Sequence, residues 1–506
     1  MGGLKQEEPV RLLVFHYHDR PGGVREVIGR GLPLLMERLD GVGEVVFLMG
    51  ELRDAGWREA LSGRLKKQSP SVTVRWVEDR EWGYAHQGFR SLSADSVQRL
   101  RDWLHPSQTL RQAVLWAHNL SVGRNIPLLR ALPRLCEDAG AELWLHHHDW
   151  WWDGRWQRWR DWRAAEVASL EEALAATVPV GPHLKHYAIN LADLPFLQAA
   201  AGEAARWVGN PLPAFRPPEE AEVGEARRWL AARTGERPVW LAPVRALRRK
   251  NLAEALLLTR RLAPDTCLVT TGGSSAEEAA GWNRLRTAAA AQGWPLVPQV
   301  LAGMETAAPS VPALMAASEA VVITSLQEGF GLPWLEAAAL GKPVVSRHLP
   351  DAADNLAALG CRLPGAYHSL PVPAEGFYNA LTEKARVRDR MSRLADLLPG
   401  NLWARDGPSE LAGKTGNAEL DFGCLTQEAQ LEVLAAEGQG VPMPPELQPE
   451  LLCWPDGYRH ERWAERFFAS PQAISFPAAG HSWTPGAPAE VRRRLAWWLR
   501  HPLLWP

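Results

Sequence analysis

The alternation of short apolar segments with longer helical patterns is the feature of this sequence that most constrains its fold. Strand, helix and strand in this rhythm predict a parallel sheet with helices on both faces. The first half of the chain has a helical pattern at Val24–Leu39. Its predicted strands are Val10–His16, Val45–Met49, Val72–Val77, Ala113–Trp116 and Ala141–His146.

A second alternating series follows a proline-dense segment, Val208–Pro218, which disfavours helix and is typical of a linker. Its strands are predicted at Val239–Val244, Thr266–Thr270, Leu296–Val300, Ala320–Thr324 and Val344–Ser346. Its helices are predicted at Leu252–Leu262, Ala276–Ala291, Val311–Ala317 and Pro333–Leu340. We therefore expect an α/β protein of two Rossmann-like, doubly wound domains, over 1–207 and 208–390, that face a cleft. A mostly helical extension, 391–506, is expected to pack back on this core.

Composition excludes several classes of protein. The 506 residues carry 56 basic and 58 acidic side chains, a balance that argues against nucleic acid or an anionic membrane as partner. Five cysteines lie far apart without a CxxC pair, and no stretch of ~18 apolar residues occurs. We expect a cytoplasmic protein with no disulfide framework, no thiolate metal site and no integral membrane segment. Any anion it binds must be held locally.

The first candidate site is the loop after the first strand, where Gly22 and Gly23 precede a helix. Glycines at a helix N-terminus let a ligand approach the free N–H groups and the positive end of the helix dipole, which favours phosphate. A purely structural turn remains the alternative. The chain has neither GxGxxG nor GxxxxGK[ST], so dinucleotide enzymes and P-loop enzymes are not favoured.

The second candidate is the basic loop that follows the strand Val239–Val244. Arg245 and Lys250 stand five positions apart there, a spacing that lets a guanidinium and an ammonium contact one diphosphate. Lys250 is one of only eight lysines in a chain whose basic residues are mostly arginine, so its presence is informative. A solvated basic loop is the alternative.

The third candidate joins two carboxylates, Glu328 and Glu336, across a glycine turn and the start of a helix. Pro333 stands at a helix-start position that suits it. A loop carboxylate beside exposed backbone N–H groups suits hydroxyl recognition on a sugar, and a second carboxylate can bind a ribose diol.

At these residues the sequence resembles the retaining glycosyltransferases of the GT-B fold, in particular glycosyltransferase family 4. The stretch EGFGLP…E matches the E-x7-E motif of that family, and the Arg-x4-Lys-Asn element matches its diphosphate clamp. The two-half architecture extends the resemblance over about residues 8–390, whereas the last ~120 residues match nothing we can place.

The resemblance implies roles for the donor side. Glu328 would hold hydroxyls of the donor sugar, Glu336 would bind the nucleotide ribose, and Arg245 with Lys250 would neutralise the leaving diphosphate. Gly22 and Gly23 would lie beside donor and acceptor. The backbone that would contact the phosphates or the sugar belongs to Gly329, Phe330, Gly331 and Leu332. No metal or other cofactor is expected, because positive side chains and a helix N-terminus act on the leaving group.

On the acceptor side, His148 and Asp149 match the recurrent His-Asp of the family, and His148 joins the expected catalytic residues. Asn119, in the segment His118–Asn125, is a further acceptor-side candidate. Trp150 opens a tryptophan-rich stretch that is either a stacking platform for an acceptor sugar or a packed edge of the core.

Two further motifs each allow two interpretations. The triple histidine His146–His148 could hold a metal, but alternate strand residues face opposite ways, so at most two of the three could share an ion. Arg347, His348 and Asp351 follow a later strand and either contact a ligand or remain solvated.

The sequence thus predicts a retaining hexosyltransferase that uses a nucleotide sugar and a hydroxyl of a small-molecule or glycan acceptor, with a small soluble sugar or polyol favoured over a lipid. A sugar-nucleotide epimerase or a sugar phosphorylase of the same architecture is the alternative enzyme. A degenerate scaffold, or a peripheral membrane module using the Trp-rich C-terminus, is the alternative without catalysis. The intact motif and clamp favour the transferase, and the oligomeric state is left open.

Overall fold

The structure is a computed structural model, and the residues it describes divide into two compact units that each have their own sheet. Unit 1 comprises Met1–Pro213, Asp396–Leu402 and Arg459–Leu495, and unit 2 comprises Ala214–Ala395, Trp403–Tyr458 and Ala496–Pro506. The described residues are 9–39, 41–86, 89–105, 112–212, 216–276, 278–304, 308–363, 365–404, 419–436, 440–444, 447–452, 463–469 and 487–505.

Unit 1 contains a seven-stranded, entirely parallel sheet in the order β3-β2-β1-β4-β5-β6-β7. Every residue of β1 is buried, as expected for a strand covered on both faces. The strands are β1 (Val10–His16), β2 (Val42–Met49), β3 (Thr73–Glu78), β4 (Gln112–His118), β5 (Glu142–His147), β6 (Leu184–Ala188) and β7 (Ala205–Trp207).

Helices connect these strands, and several begin at a side chain that caps the first turn. Asp54, Ser93 and Asn125 each accept a hydrogen bond from a backbone N–H three residues ahead, which satisfies one of the unpaired donors at a helix start. The helices are α1 (Gly23–Met36), α2 (Ala55–Gln68), α3 (Ala94–Leu104), α4 (Ile126–Ala139), α5 (Trp159–Ala164), α6 (Leu170–Thr177) and α7 (Leu194–Ala201).

Unit 2 contains a six-stranded sheet in the order β10-β9-β8-β11-β12-β15, in which only β15 is antiparallel to its neighbour. A separate antiparallel pair joins β13 to β14. The strands are β8 (Val239–Arg245), β9 (Cys267–Gly272), β10 (Leu296–Val297), β11 (Ala320–Ile323), β12 (Pro343–Ser346), β13 (Pro371–Pro373), β14 (Glu419–Asp421) and β15 (Glu450–Leu451).

The remaining helices belong mostly to unit 2, whereas α16 lies in unit 1 and α17 contributes residues to both units. They are α8 (Glu220–Thr234), α9 (Leu252–Leu262), α10 (Ala279–Gln292), α11 (Val311–Ala317), α12 (Leu332–Ala339), α13 (Pro350–Ala358), α14 (Ala380–Leu394), α15 (Gln427–Ala435), α16 (Glu465–Phe468) and α17 (Ala487–Leu499). Among the described residues, no helix combines the length and the apolar character needed to cross a bilayer.

In both sheets the strand order reverses direction beside the first strand of the unit. The reversal falls between β1 and β4 in unit 1 and between β8 and β11 in unit 2. Ligands of doubly wound sheets bind outside the carboxyl ends of the strands at such a reversal. The loops that follow these four strands are therefore where the chemistry of each unit is to be sought.

The predicted doubly wound α/β class is confirmed, with differences in detail. Strands β6 and β7 were not predicted, because they are short and β6 carries Lys185 and His186 within its five residues. The strand predicted over Leu296–Val300 has only two residues in the sheet. Of the predicted linker Val208–Pro218, residues 213–215 lie outside the described part.

The described residues after 390 belong in part to unit 1 and in part to unit 2. They are shared between the two units because their apolar side chains complete two different cores. Trp463 and Phe467 join the core of unit 1, whereas Phe422 and Val433 join the core of unit 2.

A buried network of ion pairs connects β12, α9 and β14 in unit 2. The Arg347 guanidinium, at the end of β12, forms a bidentate pair with Glu254 of α9, with donor–acceptor distances of 3.0 and 2.7 Å. It forms a second bidentate pair with Asp421 of β14 at 2.8 and 2.9 Å, and the Tyr367 hydroxyl donates to Glu254. Arg347 is 4% exposed, so it is neither the ligand contact nor the solvated residue that the sequence suggested.

Arg347→Ala should destabilise unit 2 by about 3–5 kcal/mol, because it leaves buried carboxylates without their cation. Arg393→Ala is the matched control, since Arg393 forms an exposed pair with Asp389 that contributes at most about 1 kcal/mol. Differential scanning calorimetry of the full chain compares the two variants. Equal losses in both would contradict a stabilising role for the Arg347 network.

Candidate functional site

The basic loop after β8 and the acidic loop after β11 are tied together in unit 2. The Thr324 hydroxyl donates to the carbonyl oxygens of Lys250 and Asn251, at 3.1 Å each. The Leu326 amide donates to the Arg249 carbonyl at 2.7 Å. Asn251 adopts a left-handed conformation with φ of 49°, which asparagine tolerates better than most residues. This tight turn starts α9 directly behind Lys250.

The Glu328 carboxylate lies where these two loops meet. It pairs with the Lys250 ammonium, and both side chains are 8% exposed. Arg249 Nη1 lies 3.3 Å from Glu328 Oε2, and the Ser325 hydroxyl donates to Oε1 at 2.6 Å. A carboxylate, an ammonium and a guanidinium are therefore held together at the carboxyl ends of β8 and β11.

The electrostatics of this cluster keep Glu328 ionised. Burial alone would raise the pKa of the Glu328 carboxyl, but Lys250, Arg249 and the Ser325 hydroxyl hold that pKa below its ordinary value. The carboxylate is thus an acceptor rather than a proton donor near neutral pH.

The basic residues of this loop have different surroundings. Arg248 is occupied, since its Nε lies 3.0 Å from Glu278 Oε2 and its Nη1 donates to the Trp505 carbonyl. Arg245 is exposed at the end of β8, and its guanidinium makes no ion pair with any described residue. Arg245 is therefore available to an anion, whereas Arg248 is part of the framework.

The turn before α12 places the second carboxylate. Gly331 has φ of 109°, a conformation that favours glycine, and Pro333 stands in the first turn of the helix. The Asn355 amide of α13 donates to the carbonyls of Gly329 and Phe330 at 3.4 Å each. Gly329 and Leu332 are half-buried, and Phe330 and Gly331 are buried. Half-buried Glu336 follows one turn into the helix, as predicted.

In unit 1 the glycine loop lies at the carboxyl end of β1. Gly22 caps α1, and a Cβ added at Gly22 or Gly23 would meet no atom within 4 Å. Asp19 anchors the loop, because its buried carboxylate accepts hydrogen bonds from the Arg53 amide at 2.6 Å and the Asp54 amide at 3.0 Å. Open space at the two glycines is compatible with close approach of a ligand.

Several histidines lie in, or directly after, the adjacent strands β1, β4 and β5. They lie together at the carboxyl edge of the unit 1 sheet. His118 at the end of β4 and His148 after β5 hydrogen-bond through Nδ1 and Nε2 at 3.0 Å. The His146 and His148 rings stack with centroids 4.7 Å apart, and the pKa of His16 is lowered by burial and by its neighbours His18 and His148. These imidazoles are buried, and burial lowers the pKa of His148 to about 4. A neutral histidine cluster results.

This cluster brings three possible metal ligands together, one more than the sequence suggested. A ring nitrogen from each of His118, His146 and His148 lies within 4.8 Å of the others, because β4 supplies the third residue beside β5. The Trp116 indole, however, donates to His146 Nδ1 at 3.1 Å, which places the proton of the neutral ring on Nε2. In this tautomer His146 has no free lone pair for a metal ion, since Nδ1 accepts from Trp116 and Nε2 carries the proton.

Asn119 positions Asp149. Asn119 is 8% exposed and has φ of 59°, and its side-chain oxygen Oδ1 accepts a hydrogen bond from the Asp149 backbone amide at 3.0 Å. The Asp149 side chain is 37% exposed and lies 3.2 Å from the Arg155 guanidinium. The Asp149 carboxylate is therefore accessible to a ligand, whereas Asn119 orients the Asp149 backbone.

Trp150 is part of the core, which corrects the predicted stacking platform. Its ring has no exposed surface, its indole N–H donates to Asp193 at 2.9 Å, and it stacks between His147 and Trp152. Trp151 and Trp156 are equally buried. The alternative reading, a packed edge of the core, describes this stretch.

Comparison with known protein families gives a match within unit 2. Residues 248–363 match the sequence model of the family described as Glycosyl transferases group 1. This segment of unit 2 is similar to the group 1 glycosyltransferases. The matched segment includes Lys250, Glu328 and Glu336 and starts three residues after Arg245. The glycosyltransferase resemblance inferred from the E-x7-E motif is thus confirmed.

Three relatives show how far the similarity extends. Mannosylglucosyl-3-phosphoglycerate synthase of Petrotoga mobilis is 22% identical over 282 residues, which are 53% of this chain and 51% of that protein. The chain thus matches about half the length of this curated relative. Anabaena HepE in complex with UDP-glucose has a TM-score of 0.44 and 17% identity, covering 69% of this chain and 82% of its own. Sucrose-phosphate synthase of Thermosynechococcus elongatus has a TM-score of 0.43 and 15% identity, covering 85% and 96%.

Sequence reasoning found most of the charged residues in unit 2 but missed several of their partners. Arg249 and Ser325 were overlooked, although each is close in sequence to a residue that was chosen. Asp19 was also overlooked, because an aspartate in a loop carries no signal of being buried. His118 could have been found only from the pairing of β4 with β5.

Unit 1 should lose stability as pH falls from about 6.5 toward about 4, because unfolding lets buried neutral histidines bind protons. The pKa of each is lowered by burial, to about 4 in His148 and His186. Burial raises the pKa of Asp193 to about 7 and also raises the pKa of Asp153, which acts in the opposite direction but concerns two groups against six histidines. The histidines are His16, His118, His146, His147, His148 and His186.

Calorimetry in buffers of equal ionic strength measures this effect between about pH 7 and about pH 5, above the range in which ordinary carboxylates titrate. Each fully linked histidine changes the free energy of unfolding by about 1.4 kcal/mol per pH unit. A midpoint of unfolding that stays constant over this interval would contradict the assignment of neutral histidines.

Proposed function

We propose that the chain is a retaining, family 4-like glycosyltransferase that moves a hexose from a nucleotide sugar to an acceptor hydroxyl. The observation that carries the proposal is the cluster of Lys250, Arg249 and Glu328 at the strand reversal of unit 2, beside the exposed Arg245. The group 1 domain that contains this cluster supports the assignment to glycosyl transfer.

The charges of the cluster suit a leaving diphosphate. Arg245, Arg249 and Lys250 carry three positive charges, and Glu328 returns one negative charge, so an excess of positive charge faces an incoming anion. A diphosphate draws Lys250 and Arg245 toward it, and these donors stabilise the charge that grows as the glycosidic bond breaks. The acceptor hydroxyl arrives on the face from which the diphosphate departs, so the configuration at the sugar carbon is retained.

The two carboxylates take different parts of the donor. Glu328, ionised and held by Ser325, accepts hydrogen bonds from hydroxyls of the sugar and stabilises positive charge that develops on the ring. Glu336 binds the ribose diol, and the turn from Gly329 to Leu332 presents backbone N–H groups to the phosphates or the sugar. Neither carboxylate is assigned as a covalent nucleophile.

The acceptor side is assigned to unit 1. His148 and Asp149 contact the acceptor, and Asn119 acts by orienting Asp149. Gly22 and Gly23 leave space for substrate at the start of α1. Trp150 is not part of this acceptor side, because its ring is buried.

We further propose that the acceptor is a small soluble molecule and that the reaction takes place in the cytoplasm without a metal ion. The Petrotoga mobilis relative is named for a glycosylated phosphoglycerate, a product of this chemical kind. The cations of the unit 2 loop supply the positive charge that a metal would otherwise bring to the diphosphate.

Arg245→Gln should lower turnover at least ~100-fold, as removal of one preorganised electrostatic group typically does. Arg245 is exposed and makes no ion pair with the described residues, so this variant should keep the thermal stability of the parent. Glu328→Gln should lower turnover similarly. Arg228→Gln, an exposed arginine on α8, is the matched control. Near-normal rates in both Arg245→Gln and Glu328→Gln would refute the site.

A thermal-shift panel of nucleotides and nucleotide sugars should identify the donor, since a ligand at 100-fold its dissociation constant adds about 2.7 kcal/mol of apparent stability. With that donor and a panel of small acceptors, NMR of the product reports the anomeric configuration. Retention is expected, and inversion would overturn the retaining mechanism. An epimerised nucleotide sugar without nucleotide release would instead indicate an epimerase, and phosphate-dependent cleavage of a disaccharide would indicate a phosphorylase.

A further inference from the structure

A cavity of about 560 Å³ lies within unit 1, beside the carboxyl ends of β1, β2 and β3. Its size falls in the range of pockets that bind small molecules. The mechanism proposed above assigns no role to the polar side chains of this cavity. Those side chains belong to Tyr17, His18, Arg20, Glu51, Arg53, Glu78, Arg80 and Tyr84.

The lining carries more positive than negative charge. Three guanidinium groups, from Arg20, Arg53 and Arg80, stand against two carboxylates. Glu51 pairs with both Arg20 and Arg53, so one carboxylate is shared between two cations. The Arg80 side chain is exposed and makes no ion pair in the part of the chain that is described. An anion in this cavity would meet unbalanced positive charge.

Uncharged donors complete this lining. The Tyr17 hydroxyl is buried and has no hydrogen-bond partner among the described residues. Burial raises the pKa of Tyr17, so its hydroxyl keeps its proton and remains a donor. The Tyr84 hydroxyl lies 3.3 Å from His18 Nε2. A buried donor without a partner costs free energy that a bound oxygen atom would recover.

The backbone around the cavity is fixed before any ligand arrives. Buried Asp19 holds the amides of Arg53 and Asp54 and forms an ion pair with Arg58 at 2.6 Å. The Leu52 amide donates to Glu78 at 3.2 Å, which links the end of β3 to the loop after β2. A site whose donors are already oriented binds with a smaller entropic cost.

We propose that this cavity binds the phosphate group of a phosphorylated acceptor, a phosphate monoester of a small hydroxylated molecule. Guanidinium groups match phosphate oxygens in bidentate geometry, and three of them suit a dianion. Glu78, which also lines the cavity, accepts hydrogen bonds from hydroxyl groups on the rest of the acceptor molecule. This assignment rests on the proposed transferase function and narrows its acceptor from a sugar or polyol to a phosphorylated one.

Isothermal titration of the full chain with glucose 6-phosphate, with inorganic phosphate and with glucose tests the proposal. Saturable binding is expected for the two phosphates, with inorganic phosphate competing against the ester, and not for glucose. Arg80→Gln should weaken phosphate binding about tenfold or more, since a hydrogen bond to a charged group is lost. Arg101→Gln, an exposed arginine on α3 outside the cavity lining, should bind phosphate as the parent does.

Tyr17→Phe separates a binding role from a structural one. Because the hydroxyl has no partner in the described structure, its removal should leave the thermal stability unchanged or slightly higher. The same variant should bind inorganic phosphate several-fold more weakly. Loss of stability with unchanged phosphate affinity would overturn the role of Tyr17 as a ligand donor.

Failure of the phosphate site can be distinguished from failure of the proposed transferase function. Arg80→Gln should keep the thermal shift given by the nucleotide sugar, because the donor is assigned to unit 2. The phosphate site alone would be overturned if the parent bound glucose as tightly as glucose 6-phosphate. It would also be overturned if Arg80→Gln bound phosphate with the affinity of the parent. Absence of any nucleotide-sugar response in the parent would instead overturn the transferase proposal.

Discussion

Parallel pairing of strands places all their carboxyl ends at one edge of a sheet, and the chemistry of this protein depends on that constraint. In unit 2 the reversal between β8 and β11 brings two loops together that are some eighty residues apart in sequence. Lys250 and Glu328 meet there as a buried pair. In unit 1 the same topology gathers histidines from β1, β4 and β5.

A chain of nearly neutral overall charge can still present a strongly positive loop, because its positive charge is concentrated locally. Arg245, Arg249 and Lys250 occupy one short loop, and their surroundings divide their tasks. Arg248 in the same loop is committed to Glu278 and to the main chain near the C-terminus. Local structure, rather than residue type, therefore decides which cation is available to an anion.

The tryptophan excess has a structural explanation over much of the chain. Trp150, Trp151 and Trp152 fill the interior of unit 1 beside the histidine cluster, and Trp463 from the C-terminal part packs near Trp116. Large buried aromatic side chains provide a great deal of apolar contact per residue. Such side chains also let short segments after residue 390 pack into a core that consists mostly of earlier residues, as Trp463 and Phe467 do in unit 1.

Much of the fold could be predicted from sequence, because buried parallel strands read as apolar runs and their helices are regular. The strand at Val10–His16 was predicted with the bounds it has, whereas β6 was missed because polar residues interrupt it. Motif spacing likewise indicated Lys250 and Glu328. It did not indicate that Arg347, also basic and after a strand, would be buried in an ion network.

The sequence by itself determined the doubly wound class, the resemblance to glycosyltransferases and the identity of the charged residues in the loops after β8 and β11, since these depend on local patterns. Only the tertiary structure decided which of those residues are paired, buried or open. Burial and ion pairing depend on residues distant in the chain, such as Asp421 for Arg347 and Asp193 for Trp150. Those partners are brought near by packing, which no local pattern records.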